Sequence, residues 1–472
     1  MPTDEKGGDA STTRSVFLPD PMKNPRFLFL AFPVLLAGCA TVSPDQPAPA
    51  ASVAAAPAVP DVAPAQPVIP DHSFNLKDFG GVGDRGATLN TDAFKKALAA
   101  VNAAGGGMLV VPEGTYFTGP FDLGSNTNLH LEAGAVILFS PKFDDYKMEG
   151  NSGRYRPLIQ VANVHDVLVS GTGTINGNGE AWWPEARRFK AVANAKHASG
   201  NTSPRPVMLS FRGCQRIRVE GVTLTNSPVF NLVQNACQDV TVEGIKILNP
   251  SIAPNTDGID PKDCQRVLIS HCYIDTGDDN VALGGSGGLR EEDILVTDCT
   301  FLHGHGCSIG SGTGSGVRNM IVRRCTFDGT DTGVRFKSGR GRGGLVENVT
   351  YEDLTMKNVG VVIGVTSYYA NTTIDAALAE DKAQPVTATT PQWRNITVRN
   401  VTATAGRTRA GLIAGLPEMP VENMTLENIT IEAPTGLRIA NTKGITLHNV
   451  HIKAATGPDV IADASVQGLV RN

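Results

Sequence analysis

Four short runs in this chain carry residue types that could act together on a glycosidic bond. They are Asn255-Thr256-Asp257, Gly277-Asp278-Asp279, Gly304-His305-Gly306 and Arg335-Phe336-Lys337. Their key residues, Asp257, Asp278, His305 and Arg335, follow at steps of 21 (from Asp257 to Asp278), 26 (from Asp279 to His305) and 30 residues. If each step is one turn of a repeat, three carboxylates, one imidazole and two cations share a single surface patch. Cleaving a glycosidic bond needs a proton for the leaving oxygen and a water activated on the other face of the sugar. Crowded carboxyl groups divide these tasks, because they cannot all ionise cheaply and one keeps its proton. Arg335 and Lys337, two apart on an extended segment, point the same way. They could hold a sugar carboxylate, Arg as a fork and Lys as a point charge. Arg340 and Arg342 could extend that basic track.

The elements that must position these groups recur along the chain. The pattern apolar-x-apolar-x-x-apolar starts at Ile217, Val240, Val267, Ile294, Met320, Val349, Ile396, Met424 and Ile445. Period-two alternation means strand, and the two-residue gap marks a bend. One long step, from Val349 to Ile396, brackets an insertion near 367–390, read as a loop or small subsidiary element. Each unit is too short to close a core alone, so copies must stack, each strand ~4.8 Å from the next. The expected fold is all-β, a single-stranded right-handed parallel β-helix. A β-propeller, the alternative, needs about twice this spacing per blade. Thr91 to Val101 has helical spacing, with Thr91 or Asp92 as the cap, and should plug the open end.

Composition agrees with this fold and narrows function. The 472 residues include 51 glycines and only 6% aromatics, and the formal net charge is −5. No bulk attraction to nucleic acid follows from that charge. Eight cysteines are present. Cys214, Cys237 and Cys264 each precede a first core position by three residues. Cys272, Cys299 and Cys325 each fill a third core position. They read as two ladders of small apolar side chains rather than disulfides or a metal site.

The N-terminal region differs. Lys23 and Arg26 precede an apolar run from Phe27 to Leu36 and then Ala37-Gly38-Cys39, the order of a secretory signal. Leu36 to Cys39 resembles a bacterial lipobox, with Cys39 as the lipidated residue. Residues 1–39 are therefore a signal region, with Met22 as an alternative start. Residues 40–71, rich in Ala, Pro and Val, are an extended linker. Residues 72–472 form the catalytic domain. An exported protein is expected, periplasmic or tethered to the outer membrane as a lipoprotein, or else secreted.

The order and spacing of Asn-Thr-Asp, Gly-Asp-Asp, Gly-His-Gly and Arg-x-Lys resemble those of glycoside hydrolase family 28, the polygalacturonases and related pectin hydrolases, over roughly residues 72–452. The resemblance implies that Asp278 is the general acid and that Asp257 and Asp279 position and deprotonate the water. It implies that His305 supports the acid, Asn255 orients its neighbours, and Arg335 and Lys337 bind the substrate carboxylate beyond the cleavage point. A tyrosine about one coil after the Arg-x-Lys strand also contributes in the family. Tyr368 and Tyr369 are the candidates, and Tyr369 is preferred. The implied reaction is inverting hydrolysis of α-1,4-linked galacturonate in pectic polysaccharide or oligogalacturonides, without metal or other cofactor, by a monomer. Carboxylates one coil apart stand about 5 Å from each other, a separation that alone suits retention.

The chain departs from the family pattern at three places. Phe336 replaces the common Ile. Gly284-Gly285 stands where a Lys is often seen, and Val229-Phe230-Asn231 where a Trp and a His are usual. These leave the catalytic set intact and bear on substrate choice, where rhamnogalacturonan and xylogalacturonan are alternatives. Other motifs are weaker. The glycine-rich run 310–316 has no Lys-Ser/Thr closure and reads as a turn. His303 with His305 lacks further metal ligands. Trp182-Trp183 suits either sugar stacking or loop packing. A Ca²⁺-dependent β-helical lyase and a non-catalytic surface binder remain as other classes.

Overall fold

A computed structural model describes residues 62–472 apart from 149, 151, 152, 196–202, 286, 370–373 and 405. The signal region, Cys39 and the linker up to residue 61 lie outside the described residues. No helix among the described residues is long and apolar enough to cross a membrane.

The core positions marked in the sequence stack in register. Ile217 pairs with Val240, Val240 with Val267, Val267 with Ile294 and Ile294 with Met320. The ladder continues through Val349, Ile396, Met424 and Ile445. All these pairings are parallel, and the chain forms a right-handed parallel β-helix. The long step at 349–396 leaves the register intact. The insertion loops out, carries a helix at Ile374–Glu380, and packs on a small separate cluster with Leu412, Leu416 and Tyr368.

Each coil bends where the two-residue gap was read. At that bend His271, Asp298, Arg324, Asp353, Asn400, Asn428 and Asn449 all have φ between 51° and 56°. This left-handed conformation is strained for most L residues and is tolerated by Asn and Asp, whose short side chains bond locally. Here the bonds run between coils. Asn400 donates to Asp353 at 2.8 Å, Asn428 to Asn400 at 3.2 Å and Asn449 to Asn428 at 2.8 Å. In the later coils the two strands flanking this bend merge into continuous strands such as Gln392–Thr404 and Val421–Ala433.

Apolar side chains fill the tube. All seven described cysteines are buried and free, six of them in the two ladders inferred from spacing and Cys307 stacked on Val281. The helix Thr91–Ala103 packs Phe94, Ala97, Leu98 and Val101 inward, and the Phe94 ring stacks on Phe121 at 4.6 Å. Its N-cap residue is Asn90, not Thr91 or Asp92. Thr91 is drawn away from capping because its Oγ1 accepts the Gly119 N–H at 2.6 Å.

The end of the proline-rich segment is not a free spacer. Ala65 N–H donates to Asp239 at 3.1 Å, Val68 N–H to Asp166 at 2.9 Å, and Arg218 donates to Gln66 at 2.7 Å. Extended by its prolines, this stretch keeps its N–H groups free to bond the acids on the solenoid wall. Contacts with the solenoid wall therefore begin several residues before 72.

A twelve-stranded sheet forms the remaining wall, from Phe121–Leu123 to Val460–Ala462. The chemistry sits on its outer face.

Candidate active site

Three strands of that sheet start with the inward residues Ile259, Val281 and Cys307, which stack on one another. Asp257, Asp279 and His305 each stand two residues earlier, so they line one edge of the sheet. Asp257 follows the core residue Val240 by 17 positions, against 12 from Val267 to Asp279 and 11 from Ile294 to His305, and the longer loop at residues 249–256 takes up the difference. Glycine permits the close coil spacing at this edge. A Cβ on Gly277 would fall 2.1 Å from Ala253 O, and one on Gly306, where φ is +79°, 2.1 Å from Thr332 O.

Arg335 and Lys337 come from the strand Thr332–Lys337, where Arg335 pairs with Ser308 and Lys337 with Gly310. They do not stand free for a ligand. Lys337 Nζ lies 2.6 Å from Asp279 Oδ2, and Arg335 Nη1 bonds Oδ1, which also accepts from Ser308 Oγ at 2.8 Å. Asp279 is 2% exposed. Burial works against its charge, yet Lys337, Arg335 and His305 hold its carboxyl well below the ordinary value.

Asp257 is the opposite case. Burial, then the charges of Asp278, Asp260 and Asp279, push its carboxyl well above the ordinary value. Its Oδ1 is buried without a hydrogen-bond partner. Of the three carboxyls, Asp257 is the one whose surroundings most favour the protonated form.

Asp278 lies between these extremes. Burial raises its carboxyl, and His305 more than offsets this, leaving it below the ordinary value. His305 Nδ1 is 3.0 Å from Asp278 Oδ1 and 3.5 Å from Asp279 Oδ1, while Nε2 is 3.3 Å from Asp331 Oδ2. The Asp278 approach is an ion-pair contact without hydrogen-bond direction at Nδ1. Burial disfavours a charged imidazole, but the surrounding carboxylates raise His305 to about 11. Asn255, with φ of 55°, donates to Asp278 Oδ2 at 3.3 Å.

Tyr369 stands beside the cations, its ring 5.5 Å from both Lys337 Nζ and Arg342 Cζ, and is 37% exposed. Tyr368 is buried, with its hydroxyl on Asp381. Arg340 does not extend the basic track. It is clamped by Asp381 and Glu418, which anchor the insertion. His303 pairs with Asp275 and stays apart from the His305 cluster. Trp182 and Trp183 are packing residues. Trp182 stacks on Phe143 at 3.9 Å, and Trp183 Nε1 bonds Ser227 O.

Some contributors escaped the sequence. Ser308 shares its register position with Arg335, so extending the stacking would have found it. Asp331 left no signal. Arg205 lies in a long insertion, is buried, and bonds Asn255 Oδ1 at 2.8 Å with Pro254 O at 2.7 Å. Burial lowers its guanidinium to about 10.

Asp278, Asp279 and His305 bring one donor atom each within 4.8 Å of one another, a grouping that could hold a metal. Both oxygens of Asp279 are already taken by Lys337 and Arg335, so the donor set has little anionic surplus for a cation.

Comparison with known proteins matches residues 107–458 to the family described as Glycosyl hydrolases family 28. The chain belongs to this family and is a glycoside hydrolase. A probable polygalacturonase of Vitis vinifera is 31% identical over 384 residues, covering 76% of this chain and 74% of that protein. The crystal structure of a hyperthermoactive exopolygalacturonase from Thermotoga maritima is similar, with a TM-score of 0.70 and 28% identity over 84% of this chain and 95% of that one. A family 28 exopolygalacturonase of Yersinia enterocolitica shares the fold, with a TM-score of 0.70 at 21% identity over 85% of this chain and 78% of that one.

Proposed function

We propose that this protein hydrolyses α-1,4-galacturonosyl linkages of polygalacturonate or its oligomers, with inversion and from a chain end. The observation that carries this reading is the placement of Asp257, Asp279 and His305 on one edge with Arg335 and Lys337 bonded to Asp279 beside them. Lys337 and Arg335 hold Asp279 toward its charged form, His305 does so for Asp278, and burial favours the protonated form of Asp257. Arg335 and Lys337 are two cations on the one carboxylate of Asp279, which suits a second, sugar carboxylate.

In this mechanism the uronate carboxylate competes with Asp279 for Arg335 and Lys337. As their field is drawn off, Asp279 becomes more basic, and water held between it and Asp257 can be deprotonated. On the other side, the Asp278–His305 pair carries one transferable proton. In the water-filled groove it rests on His305. Sugar displaces that water, both charges lose solvation, and the neutral tautomer with the proton on Asp278 gains. Asp278 then donates to the leaving oxygen. Asn255 and Asp331 hold the pair, and Tyr369 lies against the sugar bound by Lys337.

A lyase would place Ca²⁺ on these carboxylates, and the engagement of Asp279 by two cations speaks against it. Rhamnogalacturonan and xylogalacturonan would present other sugars to the same centre. The test is the anomeric configuration of the first product by proton NMR on trigalacturonate. The β-anomer appearing first supports the proposal. The α-anomer appearing first would overturn inversion, and no cleavage would overturn the substrate.

A further inference from the structure

Arg205 is a cation buried beside the catalytic edge, 7% exposed. It enters on Ser203-Pro204-Arg205-Pro206, a stretch that its prolines hold extended. Its side chain reaches the point where the loops carrying Pro228 and Pro254 meet. Nη1 donates to Pro228 O at 2.8 Å and to Pro254 O at 2.7 Å, and Nη2 donates to Asn255 Oδ1 at 2.8 Å. Nε donates to Ser203 O at 3.4 Å. Among the described residues no carboxylate bonds it. The acids that feel its charge are Asp257 and Asp278. A buried charge without an acid partner is costly, and an apolar side chain would fill the same space at lower cost.

The contacts of Arg205 converge on one neighbour, Asn255. Nη1 holds the carbonyl that precedes Asn255 and Nη2 holds its side chain. Arginine has donors only. The atom of the Asn255 amide that meets it must therefore be the oxygen, and Nδ2 is turned to Asp278 Oδ2, 3.3 Å away. Without the guanidinium the amide is free to turn over and present its oxygen to the carboxylate. Asp278 Oδ1 has other company, the Asp279 N–H at 3.0 Å and His305 Nδ1 at 3.0 Å. Oδ2 has Asn255. The rest of the loop is held without Arg205. Asn231 Nδ2 donates to the carbonyls of Thr256 and Asp257 at 3.2 and 2.9 Å, and Thr256 Oγ1 bonds Ala253 O and the Gly277 N–H. What Arg205 adds is the setting of Asn255, not of Asp257.

We infer that Arg205 is a positioning residue for the acid step, holding the Asn255 amide with its N–H toward Asp278. This rests on the proposed hydrolysis with Asp278 as the acid. As Asp278 gives its proton to the leaving oxygen, its carboxyl gains negative charge. A fixed N–H dipole aimed at that carboxyl strengthens as the charge develops and needs no reorganisation. The cation beyond the amide adds to it, because hydrogen bonds in a chain polarise one another. Such help is given in the transition state more than to bound substrate, so it appears in kcat and not in KM.

The test is a double-mutant cycle of Arg205→Lys and Asn255→Ala on polygalacturonate, reading kcat, KM and Tm. Lysine keeps the charge and loses the fork. Arg205→Lys should lower kcat about 10- to 100-fold, with KM changed by less than about threefold. In the Asn255→Ala background the same substitution should cost less than about twofold, because the two residues act as one unit. Additive losses, a loss carried by KM, or an unchanged kcat with a lowered Tm would overturn the assignment. So would loss of the folded state in Arg205→Lys by circular dichroism, which would make Arg205 a residue of the fold alone. Asn255→Asp leaves Arg205 its acceptor and removes the donor to Asp278. Its kcat should fall while its Tm holds, and an unchanged kcat would also overturn the assignment. No hydrolysis of any galacturonate by the unaltered protein would overturn the proposed function and this role with it.

Discussion

Replacing Lys337 by Met removes one of the two cations that hold Asp279 ionised while keeping most of the side-chain volume. The Nζ–Oδ2 contact is 2.6 Å and buried, and removing one partner of a buried pair costs about 3–5 kcal/mol. Arg335 and Ser308 remain on the other oxygen, so the low end, ~3 kcal/mol, applies. At ~2.1 cal/mol/K per residue over roughly 400 residues, this lowers Tm by ~3–4 °C. The loss should fall mainly at neutral pH. Asp279 has a depressed native pKa, so its contribution is present above the unfolded value near 3.9 and disappears as pH falls. In catalysis, a charged hydrogen bond to the substrate carboxylate is worth about 1.5–3 kcal/mol, or about 10- to 150-fold in kcat/KM. The assay compares an oligogalacturonate with its methyl ester. The preference for the acid should fall by that factor, and the acid limb of kcat/KM should move to higher pH because Asp279 loses a cation. Equal losses on acid and ester, with an unchanged Tm, would refute the reasoning.

Other perturbations test separate parts of the account. Asp278→Asn should lower kcat by about 10²–10⁴-fold with the circular dichroism spectrum unchanged; a folded variant that keeps more than a few per cent of activity would contradict its role as acid. His305 has a raised pKa, so its stabilising charge is fully present below about 6.5 and lost as pH rises toward about 11. The Tm difference between the protein and His305→Gln should therefore shrink over that interval, and a difference growing with pH would reverse the assignment. At the coil bend, Asn400→Ala forfeits inter-coil hydrogen bonds and adds left-handed strain, for a loss of about 2 kcal/mol, while Asn400→Gly should lose roughly half that. Urea unfolding of both variants reads the difference.

Much of this was legible in the sequence because a solenoid makes register visible. Every first core position from Ile217 to Ile445 stacks as its spacing implied, since a one-residue slip would turn the apolar face outward. The same logic put Asp257, Asp279 and His305 on one edge and the cysteines in ladders. Legibility stopped where residues leave the repeat. Arg205 comes from an insertion between repeats and is placed by its bonds to Pro228, Pro254 and Asn255, not by period. Charge partners were equally hidden. The sequence suggested that Arg335 and Lys337 wait for a ligand and that Arg340 joins them, whereas the first two bind Asp279 and the third anchors the insertion. Burial and neighbours, invisible in spacing, decide ionisation, and they raise Asp257 and His305 while lowering Asp278.

The most direct test of the central claim is a time course on polygalacturonic acid in the presence of a chelator, following reducing ends and ultraviolet absorbance together. Hydrolysis predicts reducing ends that rise at the same rate with and without chelator and no absorbance from unsaturated sugar. Absorbance that grows with product and is lost on chelation would mean β-elimination at a metal-dependent centre, and would contradict the account.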